Sequence, residues 1–175
     1  MITFITGGAR SGKSSYAQKQ ALALSSSPVY IATAKVWDDE FRERVNKHQS
    51  ERGSEWTSIE TYKNIAALFI KNKTVVIDCV TLWLTNLFID HKNDIDACLN
   101  ELRSEIEQIA KLDATFFIIS NEIGMGIHAE TAIGRKFTDL QGWANQYIAS
   151  IADEVIFMIS GIPMIIKKDH SIEKE

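Results

Sequence analysis

The chain has 175 residues, 45% of them hydrophobic, and carries 19 basic against 23 acidic side chains, a net charge of −4 with a pI near 5.6. That length suits one domain with a sizeable core, and the acidic balance argues against a general nucleic-acid binder, which shows a basic excess. The two cysteines, Cys79 and Cys98, are too few and too ill-spaced for a disulfide framework or a cysteine zinc site, and they fit a reducing compartment.

The N-terminal "MITFITGG" has no basic region and no long apolar run, so no signal peptide is expected. No stretch approaches the roughly 18 apolar residues of a membrane span. The expected location is the cytoplasm. No repeat, low-complexity tract or linker divides the chain, so 1–175 reads as a single domain.

Ile2–Thr6 is a short β-branched run ending in Gly-Gly and predicts a buried strand. A helix follows from about Lys13 to Leu24 and stops at the Ser25–Pro28 punctuation. Val29–Thr33 predicts a second strand. Asp38, Asp39 and Glu40 place acids in the first turn of a further helix, where the dipole favours them. Glu55–Glu60 is a candidate third strand, and Thr74–Asp78 is apolar until its closing carboxylate. A short helix is expected around Thr81–Leu87. Ile95, Leu99, Leu102, Ile106 and Ile109 recur every three to four residues, so Asp94–Lys111 predicts an amphipathic helix. Ala114–Ser120 predicts another buried strand. Ile133, Phe137, Leu140 and Ile148 mark a helix ending near Ile151, and Glu154–Ser160 with Met164–Lys167 closes the sheet.

Apolar strands alternating with helices indicate a parallel sheet covered on both faces, a three-layer α/β fold. Such folds bind ligands at the carboxyl ends of their strands. Directly after the first strand stands "GGARSGKS": Gly7, Gly8, Ala9, Arg10, Ser11, Gly12, Lys13 and Ser14. It fits G-x-x-x-x-G-K-S/T at every required position, between a strand and a helix. Glycines let backbone N–H groups turn inward around phosphate oxygens, and the following helix adds the positive end of its dipole. Lys13 would reach the β- and γ-phosphates, and the Ser14 hydroxyl would ligate Mg²⁺. A turn that merely joined strand to helix would need neither the Lys-Ser pair nor its spacing. The expectation is a P-loop NTPase fold with a mostly parallel central sheet.

Such a fold also needs an acid at the end of another strand to organise the metal. Asp78 is the candidate, and capping of the following helix is a second, compatible role for it. The loop fixes a nucleoside triphosphate without naming its base. The Asn-Lys-x-Asp box by which many GTPases read guanine is missing, since "SNEIG" follows the fifth strand. A switch-type GTPase is therefore disfavoured.

Trp37, Phe41, Val45 and His48 share one helical face. On its own that geometry suits a histidine edging the core. Arg44 and Arg52, one turn to either side, would favour the neutral imidazole and suit a polyanion. A neutral imidazole beside a triphosphate is a competent nucleophile at phosphorus. Nearby Asp39, Glu40, Glu43 and Glu51 offer the arginines ordinary ion pairs instead, so both readings stand on the residues alone.

With these segments in view the chain resembles a known family, the bifunctional adenosylcobinamide kinase / adenosylcobinamide-phosphate guanylyltransferases of cobalamin biosynthesis. The likeness covers nearly the whole length. It runs through "ITGGARSGKS" at Ile5–Ser14, "YIATA" at Tyr30–Ala34 and "DDEFRERVNKHQSER" at Asp38–Arg52. It continues through "TLWLTNLF" at Thr81–Phe88, "NEIGMGI" at Asn121–Ile127, "GRKFTDLQGWANQ" at Gly134–Gln146 and "ADEVIFMISGI" at Ala152–Ile162. The phosphate loop alone is generic; joined to "NEIGMGI" and "SGI" at these spacings it is specific.

The resemblance implies two reactions. ATP or GTP phosphorylates the hydroxyl on the aminopropanol arm of adenosylcobinamide. A histidine then attacks the α-phosphate of GTP, pyrophosphate leaves, and GMP passes to adenosylcobinamide phosphate. The family's guanylylated histidine falls on His48, with Lys13 as the second catalytic residue. Its other nucleotide contacts fall on Ala32, Thr33 and Ala34, on Gln49, Ser50, Glu51 and Arg52, on Glu60, and on Asp78, which with Ser14 would hold Mg²⁺. Many relatives carry paired histidines where this chain has Lys47-His48, and the second position is retained. The partners implied are small molecules, with no nucleic acid and no membrane span. The oligomeric state is open on the residues, and the resemblance implies a homo-oligomer of trimeric form.

Two rival readings remain on the residues: a P-loop small-molecule kinase without guanylyl transfer, and a nucleotide-dependent binding or regulatory module. "NEIGMGI" reads either as a ligand-free turn or as the border of the corrinoid entrance. His91, His128 and His170 have no partners at metal-ligand spacing and read as surface residues. Trp83, Met125 and Trp143 read as packing.

Overall fold

The computed structural model describes residues 1–35, 53–68, 70–71 and 73–168. The described strands are β1 (Ile2–Gly7), β2 (Val29–Ala32), β3 (Thr57–Glu60), β4 (Thr74–Asp78), β5 (Thr115–Ile119), β6 (Glu154–Ile159) and β7 (Ile162–Lys168). The described helices are α1 (Lys13–Leu24), α2 (Val80–Asp90), α3 (Ile95–Ala110) and α4 (Ala132–Ile151). The strands form one sheet in the order β3-β2-β4-β5-β1-β6-β7. Every pairing is parallel except β6 with β7. The expected three-layer fold with a mostly parallel sheet is what the chain adopts.

The strand sequences explain this arrangement. β1 is buried at all six positions, so its residues alternate between two apolar faces rather than between core and water. Ile2 and Phe4 of β1 join Val75, Ile77, Phe116 and Ile118 on the face covered by α2, α3 and α4. Ile5, Val76, Phe117, Ile119 and Ile156 point the other way, against Ala17 and Ala21 of α1. Those two alanines are fully buried, and their small size brings α1 close over the phosphate loop's own strand. On the opposite face Trp83 of α2 is fully buried, as packing would have it. Truncating a side chain of that size costs about 3–5 kcal/mol in a core.

Two helices begin on side-chain caps. Asp94 accepts from the Ala97 N–H at 3.0 Å, and Thr131 accepts from the Gly134 N–H at 3.1 Å. Helix α1 is different. Its N-cap is Gly12, with φ 92° and no side-chain cap, so its first amides are left to other acceptors. That is the arrangement a phosphate needs.

β6 turns into β7 through two residues, Ser160 with φ 51° and Gly161 with φ 84°. Positive φ at both central positions gives a turn of the type I′ kind, whose twist matches antiparallel strands. β7 is the outer edge strand, with Ile162, Met164, Ile165 and Ile166 exposed. Among the described residues, no helix is long and apolar enough to cross a membrane.

Candidate active site

The parallel register aligns the strand ends. Ala32 of β2 is level with Glu60 of β3 on one side and Asp78 of β4 on the other. Asp78 is level with Ile119 of β5, and Ile119 with Ile5 of β1, just before the loop. Glu60, Ala32, Asp78 and the phosphate loop, far apart in sequence, therefore share the carboxyl edge of the sheet.

The loop begins at a position only glycine tolerates. Gly7 has φ 147°, and a Cβ there would lie 2.5 Å from the Met158 carbonyl oxygen of β6. Arg10 also has positive φ, at 56°. The chain thereby curls back so that Lys13, at the start of α1, lies over the loop's own carbonyls. Its Nζ donates to Gly8 O at 2.6 Å and to Gly7 O at 3.1 Å. Lys13 is buried, and that burial pushes its ammonium below the ordinary value while the charges of Asp78 and Glu122 pull the other way.

Asp78 meets the loop directly. Ser14 Oγ donates to Asp78 Oδ2 at 2.6 Å, and the Tyr30 hydroxyl donates to the same oxygen at 2.6 Å. The capping role weighed for Asp78 is not realised: Cys79 is the N-cap of α2, and no side chain caps that helix. The loop, Asp78, Cys79 and Asn121 line a cleft of about 350 Å³. The Cys79 thiol in that cleft is pushed up to about 12, chiefly by burial and then by the Asp78 charge. It stays protonated near neutrality and is no nucleophile.

Ser14 and Asp78 bring a hydroxyl and a carboxylate oxygen together beside the loop. Hard oxygen donors of this kind suit Mg²⁺, which binds through one or two protein groups, substrate phosphates and its own waters. Among the described residues no three His, Cys, Asp or Glu side chains gather as a metal cage.

Thr33 is fully buried and braces the end of β2. Its hydroxyl donates to Cys79 O at 2.7 Å, and its carbonyl accepts from Asn86 Nδ2 of α2 at 2.7 Å. Ala34 follows it on the same edge. His48, Gln49, Ser50, Glu51 and Arg52 lie outside the described residues, as do the helix expected from Asp38 and His170.

Two features were not singled out in the sequence. Tyr30 is one; its link to Asp78 depends on the pairing of β2 with β4. The other is Glu122, whose Oε1 accepts from Thr6 Oγ1 at 2.7 Å and from Asn145 Nδ2 at 2.9 Å. The signal for Glu122 was present: it is an acid just past a buried strand, the logic that picked Asp78. Met125 and Trp143, read as packing, are 72% and 46% exposed, Met125 because it stands on the short turn Ile123–Met125 outside the core. His91, read as a surface residue, is half-buried and meets Glu101 of α3 at 2.5 Å.

The model of a family described as cobinamide kinase / cobinamide phosphate guanyltransferase matches residues 3–166. The bifunctional adenosylcobalamin biosynthesis protein CobU of Escherichia coli is 35% identical over 182 residues, covering 95% of this chain and 100% of that protein. The bifunctional adenosylcobalamin biosynthesis protein CobP of Pseudomonas aeruginosa is 34% identical over 172 residues, covering 95% and 98%. Among solved structures, an ATPase from the type III secretion system of pathogenic bacteria superposes with TM-score 0.56 at 12% identity, over 89% of this chain and 50% of that one. That last likeness concerns the fold alone.

Proposed function

Because the chain belongs to the cobinamide kinase / cobinamide phosphate guanyltransferase family, we propose that its phosphate loop, Gly7–Ser14, serves both transfers in turn. In the first, the γ-phosphoryl of ATP or GTP passes to the hydroxyl of adenosylcobinamide's aminopropanol arm, and a nucleoside diphosphate leaves. In the second, the His48 imidazole attacks the α-phosphorus of GTP. The bond to pyrophosphate breaks, and GMP stays on the ring. An oxygen of adenosylcobinamide phosphate then displaces the histidine, giving adenosyl-GDP-cobinamide.

The observation that supports this reading is the convergence of Lys13 with the Ser14–Asp78 pair at the sheet's carboxyl edge. Lys13 and the loop amides stabilise charge on the phosphates that depart. Ser14 and Asp78 would hold Mg²⁺. When bound, that ion withdraws charge from the triphosphate. Tyr30 keeps the Asp78 carboxylate oriented toward Ser14. Ala32, Thr33, Ala34 and Glu60, together with Gln49, Ser50, Glu51 and Arg52, are assigned to the nucleotide.

The enzyme works in the cytoplasm on small molecules, without nucleic acid, as a homo-oligomer of trimeric form. The exposed apolar edge of β7 is in keeping with subunit contact. Mass spectrometry of the intact protein after incubation with GTP and Mg²⁺ tests the central step. A GMP adduct on His48 is expected, absent in His48→Ala, which still phosphorylates cobinamide. An unmodified wild-type protein, or equal loss of both activities in the variant, sinks the division of labour and leaves a simple kinase.

A further inference from the structure

We propose that Glu122 is the catalytic base of the phosphorylation half-reaction, taking the proton of the acceptor hydroxyl as the γ-phosphoryl group moves. This rests on the kinase reading above and adds a residue to it.

The placement comes first. β5 runs between β1, which carries the phosphate loop, and β4, which carries Asp78. The segment leaving β5 therefore emerges between the loop and the metal-organising acid. The Glu122 N–H donates to Gly7 O at 3.1 Å, which pins it to the loop's first residue. Asp78, held by Ser14 and Tyr30 through Oδ2, is assigned to the metal, which leaves Glu122 as the carboxylate for proton transfer.

The carboxylate is also oriented. Its Oε1 is held by Thr6 and Asn145. Asn145 is itself fixed, since its Oδ1 accepts from Ser120 Oγ at 2.7 Å and from Gln141 Nε2 at 2.9 Å. Ser120, Gln141 and Asn145 are buried. Hydrogen bonds among buried side chains of this kind hold Asn145, and through it Glu122, in one geometry, although the Gln141 Oε1 in the group has no partner among the described residues. Among the described residues no hydrogen bond falls on Oε2.

Two clefts of about 470 Å³ each meet at Glu122, Met125 and Phe157. One reaches Gly8 and Ala9 of the loop. The other is mainly apolar and runs between α4 and β6. One carboxylate thus borders both the triphosphate grip and a surface suited to a large, largely apolar acceptor.

The chemistry separates the two halves. In phosphorylation the acceptor O–H breaks, the oxygen bonds to the γ-phosphorus, and the nucleoside diphosphate leaves with the electron pair of the broken P–O bond. The proton goes to Glu122 Oε2. In guanylyl transfer the acceptor is a phosphate oxygen, already anionic, with no proton to surrender. Glu122 is needed in one half only.

Glu122→Gln keeps the acceptor for Thr6 and Asn145 and removes the base. The kcat for cobinamide phosphorylation should fall by about 10²–10⁴, the usual span of general-base catalysis, with KM changed by less than about threefold. Guanylyl transfer to supplied cobinamide phosphate should persist within about threefold, which also reports a folded site. A phosphorylation kcat within about tenfold of wild type overturns the inference, as does an equal loss in both halves at unchanged Tm. If both halves fall together with Tm, Glu122→Asp decides. A kinase rate above that of the glutamine variant supports the base, and a rate no better overturns it. A wild-type enzyme that never phosphorylates cobinamide overturns the kinase reading itself, with this inference along with it.

Discussion

The sharpest structural prediction concerns two adjacent glycines with opposite fates. At Gly7 a Cβ would sit 2.5 Å from the Met158 carbonyl oxygen and 3.0 Å from Ser11 Oγ, at φ 147°. An ordinary carbon–oxygen approach is about 3.3 Å or more. Met158 cannot step aside, because β6 is paired with β1 on one side and β7 on the other. Backbone strain at such φ costs about 1–3 kcal/mol, and overpacking a further 1–3 kcal/mol. Gly7→Ala should therefore destabilise by roughly 2–6 kcal/mol, and for a chain of this length Tm should fall by about 4 °C at the least. At Gly8 nothing lies within 4 Å of the added atom. Gly8→Ala should leave stability within about 0.5 kcal/mol of wild type. Calorimetric melting of the two variants side by side is the assay. Equal shifts in the pair, or a Gly7→Ala protein melting with the wild type, would refute the steric account of the loop.

Lys13→Ala should weaken triphosphate binding and depress both transfers, by about 10²-fold or more if the lysine acts as a charge clamp; unchanged affinity in a fluorescent-nucleotide titration would remove the loop from the mechanism. Asp78→Asn, which keeps an acceptor for Ser14 and Tyr30 but loses the charge, should raise the Mg²⁺ concentration for half-maximal rate at least about tenfold. An unaltered Mg²⁺ dependence would take Asp78 out of the metal site. Cys79 gives a pH prediction, because its thiol rises from 9.0 to about 12 on folding. The unfolded chain releases that proton near pH 9 while the folded chain keeps it. The stabilisation is thus complete below pH 9 and lost as pH climbs toward 12, by about 1.4 kcal/mol per unit. Urea unfolding at pH 9 and pH 10.5 should show wild type losing about 2 kcal/mol more than Cys79→Ala. Parallel losses would place the titrating group elsewhere.

Where the chain is locally unambiguous, the sequence was read correctly. Thr74–Asp78 and Lys13–Leu24 are strand and helix to the residue, since each has an apolar pattern bounded by strong punctuation. β3 proved shorter than Glu55–Glu60, beginning at Thr57, because it is an edge strand with few buried positions to mark its start. β7 proved longer than Met164–Lys167, because its ladder with β6 extends the strand to the turn. The phosphate loop and Asp78 were legible because a spacing and a strand end carry them. The link of Tyr30 to Asp78 and the contacts of Glu122 with Thr6 and Asn145 were not, since each depends on which elements lie side by side, although Glu122 itself carries the strand-end signal. Periodicity likewise carries no depth for a glycine-rich turn: Met125 reads as packing and is largely exposed.

The hairpin joining β6 to β7 has a further bearing on how the molecule tolerates redesign. Its two-residue tip donates from Gly161 N to Ser11 O at 3.0 Å, and a Cβ built on Gly12 would fall 3.3 Å from Gly161 Cα. A peripheral turn is ordinarily the first place to graft a tag or open a permuted terminus. Here it is a latch on the nucleotide clamp, so splicing even a few residues into it would loosen catalysis long before it unravelled the sheet.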